Sequence, residues 1–598
     1  MLKITFQKKV LCVACVVAFA ILVGVSCASK SVKSYPMEVI SSEFIYSNDN
    51  HAPIYTMRDF TEDEIMPSDK YPGFYFVCGE VLVIAYEHVD YGQMTTLVSE
   101  HGGRVVGFLE AANTYQLHFT DVATEAELID LVQLFNDHAF VIIASLNRVS
   151  ELEIYIPTRI MEAVSGLCPA HNPRYQPSPT PAPIRPDAAR DRGMIIPNDT
   201  RWEYEWYQWF TGGPADGSNW GMEAINAPSA WYLLFDEYMN LHEHVEYVNV
   251  GVIDTHFAPN HEDLEITLFQ NSMPISEVPC GRNLYPTTRS IRQGTMVAGI
   301  IGAGFNNGYG IAGGAPNSIM YGYSLHGAYA PRHTSTFRRK HALATLFAND
   351  VRLINSSMGN SNNPIPSIHS QALTFNINNH SILLRERNML TVFLRKYLDQ
   401  GVCFLIVESA GNASNRNGHR SVHVGYTTVF GNIRDPEIRN RIIVVGGMRG
   451  WIGHAFLTCS VDNEPFDPPR FHMLIGMGST QVGRNVNGSL AIDIYAPGYR
   501  ITSTSTPLVR LEDINLDAVS TYYHEASGNV MAAPHVTSVA AMIWGVRPDL
   551  SGVQVREYIL QNPRHDVYIS RRVFDDIQVS PILCAFQSVY AAINSNEL

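Results

Sequence analysis

Two kinds of hydrophobic pattern divide this chain. Between residues 79 and 150, short apolar runs alternate with stretches of helical spacing. Residues 80–85, 104–108, 114–120 and 140–146 predict strands. Residues 89–101 and 124–136 predict helices, the second with Leu128, Leu131, Val132 and Phe135 on one face. Beyond residue 240 the apolar runs become nearly continuous, at 245–253, 318–323, 351–355, 402–407 and 441–445. Runs rich in Val and Ile with no polar alternation predict strands buried on both faces, and so a parallel sheet covered by helices. In such sheets the chemistry sits beyond the carboxyl ends of the strands.

The β-α-β-β-α-β order of residues 71–150 resembles the ferredoxin-like split βαβ fold. That fold hosts many functions and proves little about any one of them. Residues 169–186 hold seven prolines in eighteen positions. Such a stretch cannot hold a helix or an inner strand, so residues 165–197 read as an exposed linker. The expected organisation is an address segment at 1–28, a small α+β domain at 71–150, the linker, and a large α/β domain at 198–598. Residues 31–70 and the inserts near 360–400 and 450–490 carry no assignable pattern.

Composition narrows the function classes. The 598 residues carry 42 Lys+Arg against 57 Asp+Glu, a net charge of −15. No basic footprint for phosphates is present, which argues against a nucleic-acid partner. Charged residues at 17% and apolar residues at 46% exclude a largely disordered chain. Nine cysteines are too few for a disulfide scaffold, and the six beyond the first segment, Cys78, Cys168, Cys280, Cys403, Cys459 and Cys584, form no CxxC that would suggest a metal site.

The first residues read as an export signal. Lys3, Lys8 and Lys9 precede an apolar run at 10–25, followed by Ser26, Cys27 and Ala28. The run is shorter than the ~20 residues of a spanning helix. Two endings compete, cleavage after small residues or lipidation at Cys27, with an uncleaved anchor as the remaining alternative, and the sequence leaves them open. Either way the body is expected outside the cytosol, in the periplasm, outer envelope or cell surface, with membrane attachment only through the N-terminal lipid. Five of the seven tryptophans (Trp202, Trp206, Trp209, Trp220 and Trp231) fall within thirty residues and are expected to pack at the entry to the large domain.

Seven ordered blocks carry candidate chemistry. They are Asn226-Ala-Pro-Ser-Ala-Trp231, Val252-Ile-Asp-Thr255, Gln293-Gly-Thr-Met-Val-Ala-Gly299, Asn355-Ser-Ser-Met-Gly359, Ser409-Ala-Gly-Asn412, Tyr495-Ala-Pro-Gly498 and Ser527-Gly-Asn-Val-Met-Ala-Ala-Pro-His535. In this order they resemble the signature blocks of the subtilisin-like serine proteases, the subtilase (S8) family. The resemblance covers about residues 198–598. It implies a three-layer parallel-sheet domain, and a prodomain-like inhibitor role for residues 71–150. It assigns Asp254 to the triad carboxylate, Asn412 to the oxyanion hole, and Ser357, Met358 and Gly359 to the edge that pairs with peptide. No cofactor is implied beyond a calcium suggested by the family alone, for which no acidic loop is recognised.

The departures decide the expected function. Gln293 stands where the family has His, and an amide cannot act as general base. Val530 stands where the family has Ser, and it has no hydroxyl. Asn529 replaces the neighbouring Thr, and His256 replaces the Gly after Asp-Thr. In subtilisin, loss of the Ser or the His alone lowers turnover about 10⁶-fold. Gln293 is read as a neutral partner for Asp254, His256 as a surface imidazole, Ser527 as a loop hydroxyl, and Gly294-Thr295 as builders of a helix start. The expectation is a pseudoprotease of the cell envelope that binds an extended peptide, a protein segment or an active protease without hydrolysis. An active endopeptidase with a displaced nucleophile, and a structural subunit of an envelope complex, are the alternatives.

Overall fold

The apolar runs of residues 79–150 form one antiparallel sheet with two helices. The structure is a computed structural model that describes residues 55–69, 74–151, 190, 193–200, 219–258, 261–269, 287–326, 333–357, 381–411, 428–451, 471–475, 492–505, 523–564, 567–569 and 581–595. Within the small sheet the elements are β1 (Tyr75–Ala85), α1 (Tyr91–Glu100), β2 (Gly103–Leu109), β3 (Thr114–Phe119), α2 (Glu125–Asn136) and β4 (Val141–Glu151). The strand order β2-β3-β1-β4 is fully antiparallel, as in a ferredoxin-like fold. Thr124 caps α2, its hydroxyl accepting from Glu127 N while the Glu127 carboxylate accepts from Thr124 N. Leu128, Val132 and Phe135 then face Val81, Val83 and Leu117 in a common core.

Two features enlarge this unit. β1 starts five residues before the predicted strand. Gly79, at φ 71°, marks a register shift between Phe76 and Val81 that hides the strand's first half from any alternation count. Two short strands from the unassigned N-terminal stretch also join, Tyr55–Thr56 against β2 and Ile65–Pro67 against β1.

The continuous apolar runs form the parallel sheet: β5 (Val248–Asp254), β6 (Ser318–Ser324), β8 (Leu353–Ser356), β9 (Leu405–Ser409), β10 (Ile442–Trp451) and β11 (Ile494–Pro497). The order β11-β10-β9-β8-β5-β6 is parallel throughout. Strand order reverses at β5, which lies between β8 and β6, so the crevice of a doubly wound sheet opens at the end of β5. Apolar clusters cover both faces. One holds Val250, Val252 and Val407 with residues of α3 (Thr287–Gly302) and α6 (Ala533–Val546). The other holds Ile253, Ile354 and Ile406 with residues of α4 (Thr336–Ala348) and α5 (Ser381–Asp399). Every residue of α6 is buried, which makes it the central helix of its layer. No described helix is long and apolar enough to cross a membrane.

Helix α5 falls in an insert that sequence motifs do not place. Its Met389, Leu390, Phe393, Leu394 and Tyr397 follow helical spacing and are buried. The body also takes up the chain earlier than residue 198. Ile195 is buried, and its N–H donates to the Pro228 carbonyl at 2.9 Å.

The small sheet sits on α4 and α5. The Asn147 side chain of β4 accepts from Phe337 N at 3.1 Å and from the Thr336 hydroxyl at 3.2 Å, covering the start of α4. Arg148 pairs with Glu386 of α5. A short strand of the body, β7 (His333–Ser335), pairs antiparallel with the end of β4, placing His333 opposite Glu151 and Ser335 opposite Val149.

If α5 is core rather than decoration, truncating its buried face should be costly. Phe393→Ala is expected to lower unfolding free energy by about 3–5 kcal/mol in urea titration, against about 1 kcal/mol or less for the partly exposed Arg395→Ala.

Candidate functional site

The crevice is organised by the last residue of β5. Asp254 is fully buried. Its Oδ1 accepts from Thr255 N at 2.7 Å and from Gln293 Nε2 at 3.2 Å. Its Oδ2 has no hydrogen-bond partner among the described residues. Burial is the largest influence and pushes the carboxyl up to about 7, against the lowering effect of those hydrogen bonds. The Gln293 amide also reaches the Ser357 carbonyl at 3.4 Å. One side chain from α3 thus bridges the ends of β5 and β8.

The residues after Gln293 hold the same corner together. Gly294 N donates to the Thr255 hydroxyl at 3.0 Å. A Cβ at Gly294 would stand 2.6 Å from the His256 carbonyl, so only glycine fits. The Thr295 hydroxyl accepts from Ala258 N at 2.9 Å. The expected helix start is displaced: α3 begins at Thr287, and Gln293 lies in its second turn.

The nucleophile position is equally enclosed. Val530 lies in a 3-10 turn, Asn529–Met531, that leads into α6, and it is fully buried in the cluster that holds Met296 and Val297. The Asn529 amide donates to the Gly411 carbonyl, and its oxygen accepts from Gly447 N at 2.6 Å. Asn529 therefore ties this turn to the segments after β9 and within β10. Ser527 is fully buried, with its hydroxyl accepting from Arg500 N at 2.9 Å. His535 is buried with Nδ1 at 2.9 Å from the Met531 carbonyl, and burial lowers its imidazole to about 4.

His256 corrects the sequence reading. It is 1% exposed rather than a surface imidazole. Asp254 and Ser324 are register partners, and His256 turns into the space beyond their strand ends. Its Nδ1 lies 3.3 Å from the Ser324 hydroxyl, and its ring centroid 4.5 Å from that of His326. His326 is buried, neither ring nitrogen has a partner among the described residues, and burial holds it neutral. No motif singled out His326 or Ser324; only the strand register brings them to Asp254.

Of the other predicted positions, Ser357 is buried, and its hydroxyl accepts from Asn355 Nδ2 at 2.9 Å. Asn412, Met358, Gly359 and Cys27 lie outside the described residues, as do Trp202, Trp206 and Trp209. Trp231 is buried and donates to the Gly314 carbonyl at 3.0 Å, while Trp220 donates to the Tyr499 carbonyl at 3.1 Å. No group of three or more His, Cys, Asp or Glu is placed to hold a metal ion among the described residues.

The Asp254 carboxyl titrates near 7 in the folded chain and near 3.8 when exposed. The folded state holds its proton longer, so its contribution to stability is full below 3.8 and is lost as pH rises through 7. Asp254→Asn removes this titration. From pH 5 to pH 8 the variant is expected to gain about 2–3 kcal/mol on the parent in urea unfolding. An equal shift in both proteins would contradict a buried neutral Asp254.

Comparison with known proteins places this arrangement in a family. Subtilisin from Bacillus sp. (strain TA39) is 26% identical over 320 residues, which is 52% of this chain and 59% of that protein. The chain thus spans less than two thirds of the length of this relative. Among solved structures, fervidolysin from Fervidobacterium pennivorans, a keratinolytic enzyme related to subtilisin, aligns with a TM-score of 0.51 at 16% identity. That alignment covers 88% of this chain and 63% of the other, a likeness of fold. The model of the subtilase family, Peptidase_S8, matches residues 246–574, more than half of the chain and all of the crevice just described. The chain belongs to the subtilase family.

Proposed function

We propose that this chain is a catalytically inactive subtilase, a pseudoprotease that holds an extended protein segment without cutting it. The observation that carries the reading is the pairing of Gln293 with Asp254. A triad needs a hydroxyl nucleophile, an imidazole to take its proton and a carboxylate to orient the imidazole. Here the carboxylate meets an amide, which has no proton affinity near neutral pH. The nucleophile position holds a buried valine. The hydroxyls around the corner, those of Thr255, Ser324, Ser357 and Ser527, all belong to fully buried residues. That burial weighs against a displaced nucleophile, because an attacking oxygen must reach the scissile carbonyl to within about 3–3.5 Å.

The binding half of the reading rests on β7. This three-residue strand completes the edge of the small sheet by antiparallel pairing with the end of β4, a contact of the strand-addition kind. The small domain is the first occupant of β7, and a partner segment, either a peptide or part of a protease, enters by displacing it or by using the Ser357 side. The N-terminal sequence supports an exported, envelope-attached setting.

A fluorophosphonate probe tests the loss of chemistry. Purified full-length protein is expected to show no more labelling than its Ser527→Ala variant. Strong labelling that disappears in Ser527→Ala would establish a displaced nucleophile instead.

A further inference from the structure

The segment ahead of the small domain does more than add two strands to a sheet. On one side it is fixed to the small domain. Tyr55 and Thr56 pair with Leu109 and Phe108 of β2, and the Thr56 hydroxyl accepts from Phe108 N at 3.0 Å. Arg58 exchanges two hydrogen bonds with the Gln116 side chain, N to Oε1 at 2.9 Å and Nε2 to O at 3.0 Å. Its guanidinium pairs with Glu64 and with the fully buried Glu80. Phe60 is buried with Val77 and Val149.

On the other side the same few residues grip the body. Asp59 pairs with Arg338 of α4, a residue only 1% exposed. Tyr55 and Met57 pack against the apolar cluster that holds Phe337, Leu343, Phe393 and Tyr397. The network then closes on itself: Glu80 accepts from Asn147, and Asn147 covers the start of α4.

We propose that residues 55–64 are a strap that fastens the small domain to the body, so that the two stay together after the proline-rich linker is cut. This rests on the reading of the chain as an inactive subtilase whose small domain is a permanent part. Removing Asp59 would leave the Arg338 charge buried and alone, which is far more costly than losing an exposed ion pair. The strap therefore holds through a contact that neither half satisfies by itself.

The test uses the full chain with a recognition sequence for a site-specific protease inserted within residues 169–186. The protein is cut, diluted, and followed by native mass spectrometry for release of the N-terminal fragment. The cut parent is expected to persist as a one-to-one complex. Cut Asp59→Ala is expected to release the fragment at least about tenfold faster. Asp59→Ala with Arg338→Met is expected to recover slow release, since no unpaired charge remains. Tyr55→Ala is an independent arm and is also expected to speed release. Release from the cut parent as fast as from Asp59→Ala and Tyr55→Ala would overturn the strap. Fluorophosphonate labelling of the uncut samples reads the loss of chemistry separately, so failure of one claim does not mimic failure of the other.

Discussion

A carboxylate without a cation sets the terms for the rest of this molecule. Asp254 ends the strand at which the sheet reverses its order, and it is sealed from water. A buried charge needs compensation, or the group gives up its charge. Here the compensation comes from an amide and a backbone N–H, and the carboxyl moves toward neutrality. Gln293 is suited to that role because it donates to Asp254 and to the Ser357 carbonyl at once. At this corner three segments, the ends of β5 and β8 and helix α3, are stitched together.

The neighbouring positions are enclosed as well. Asn529 links the turn before α6 to Gly411 and Gly447. His256 and His326 fill the ground beyond the ends of β5 and β6. Val530 closes the core with carbon where a hydroxyl would need a partner. These side chains are all buried in the packed interior. Toward the small domain, three consecutive cationic residues of α4, Arg338, Arg339 and Lys340, are buried, with Asp59 and Glu386 as anionic partners. The small sheet, the strap and the body are thus bound by polar contacts as well as by apolar area.

Much of this was legible in the sequence, because the strongest signals are periodic. The five continuous apolar runs all became parallel strands, and the β-α-β-β-α-β order gave the small sheet. Gln293 and Val530 stood out because fixed motif positions surround them. What escaped notice had no local signature. The strap consists of single polar and aromatic residues whose partners lie far along the chain, such as Asp59 with Arg338. Helix α5 does carry helical spacing, but Arg385, Arg387 and Arg395 interrupt its apolar residues and no motif draws the eye to it. The burial of His256 depends on a strand register that sequence does not reveal.

The central claim is that this subtilase fold does not cut, not even the chain that joins it to its own small domain. Intact-mass measurement of the purified full-length protein during prolonged incubation tests this most directly. The account predicts one unchanged mass in which the small sheet and the body remain a single chain. Steady appearance of a separate small-domain fragment, abolished by Ser527→Ala and unaffected by inhibitors of contaminating proteases of other classes, would contradict it.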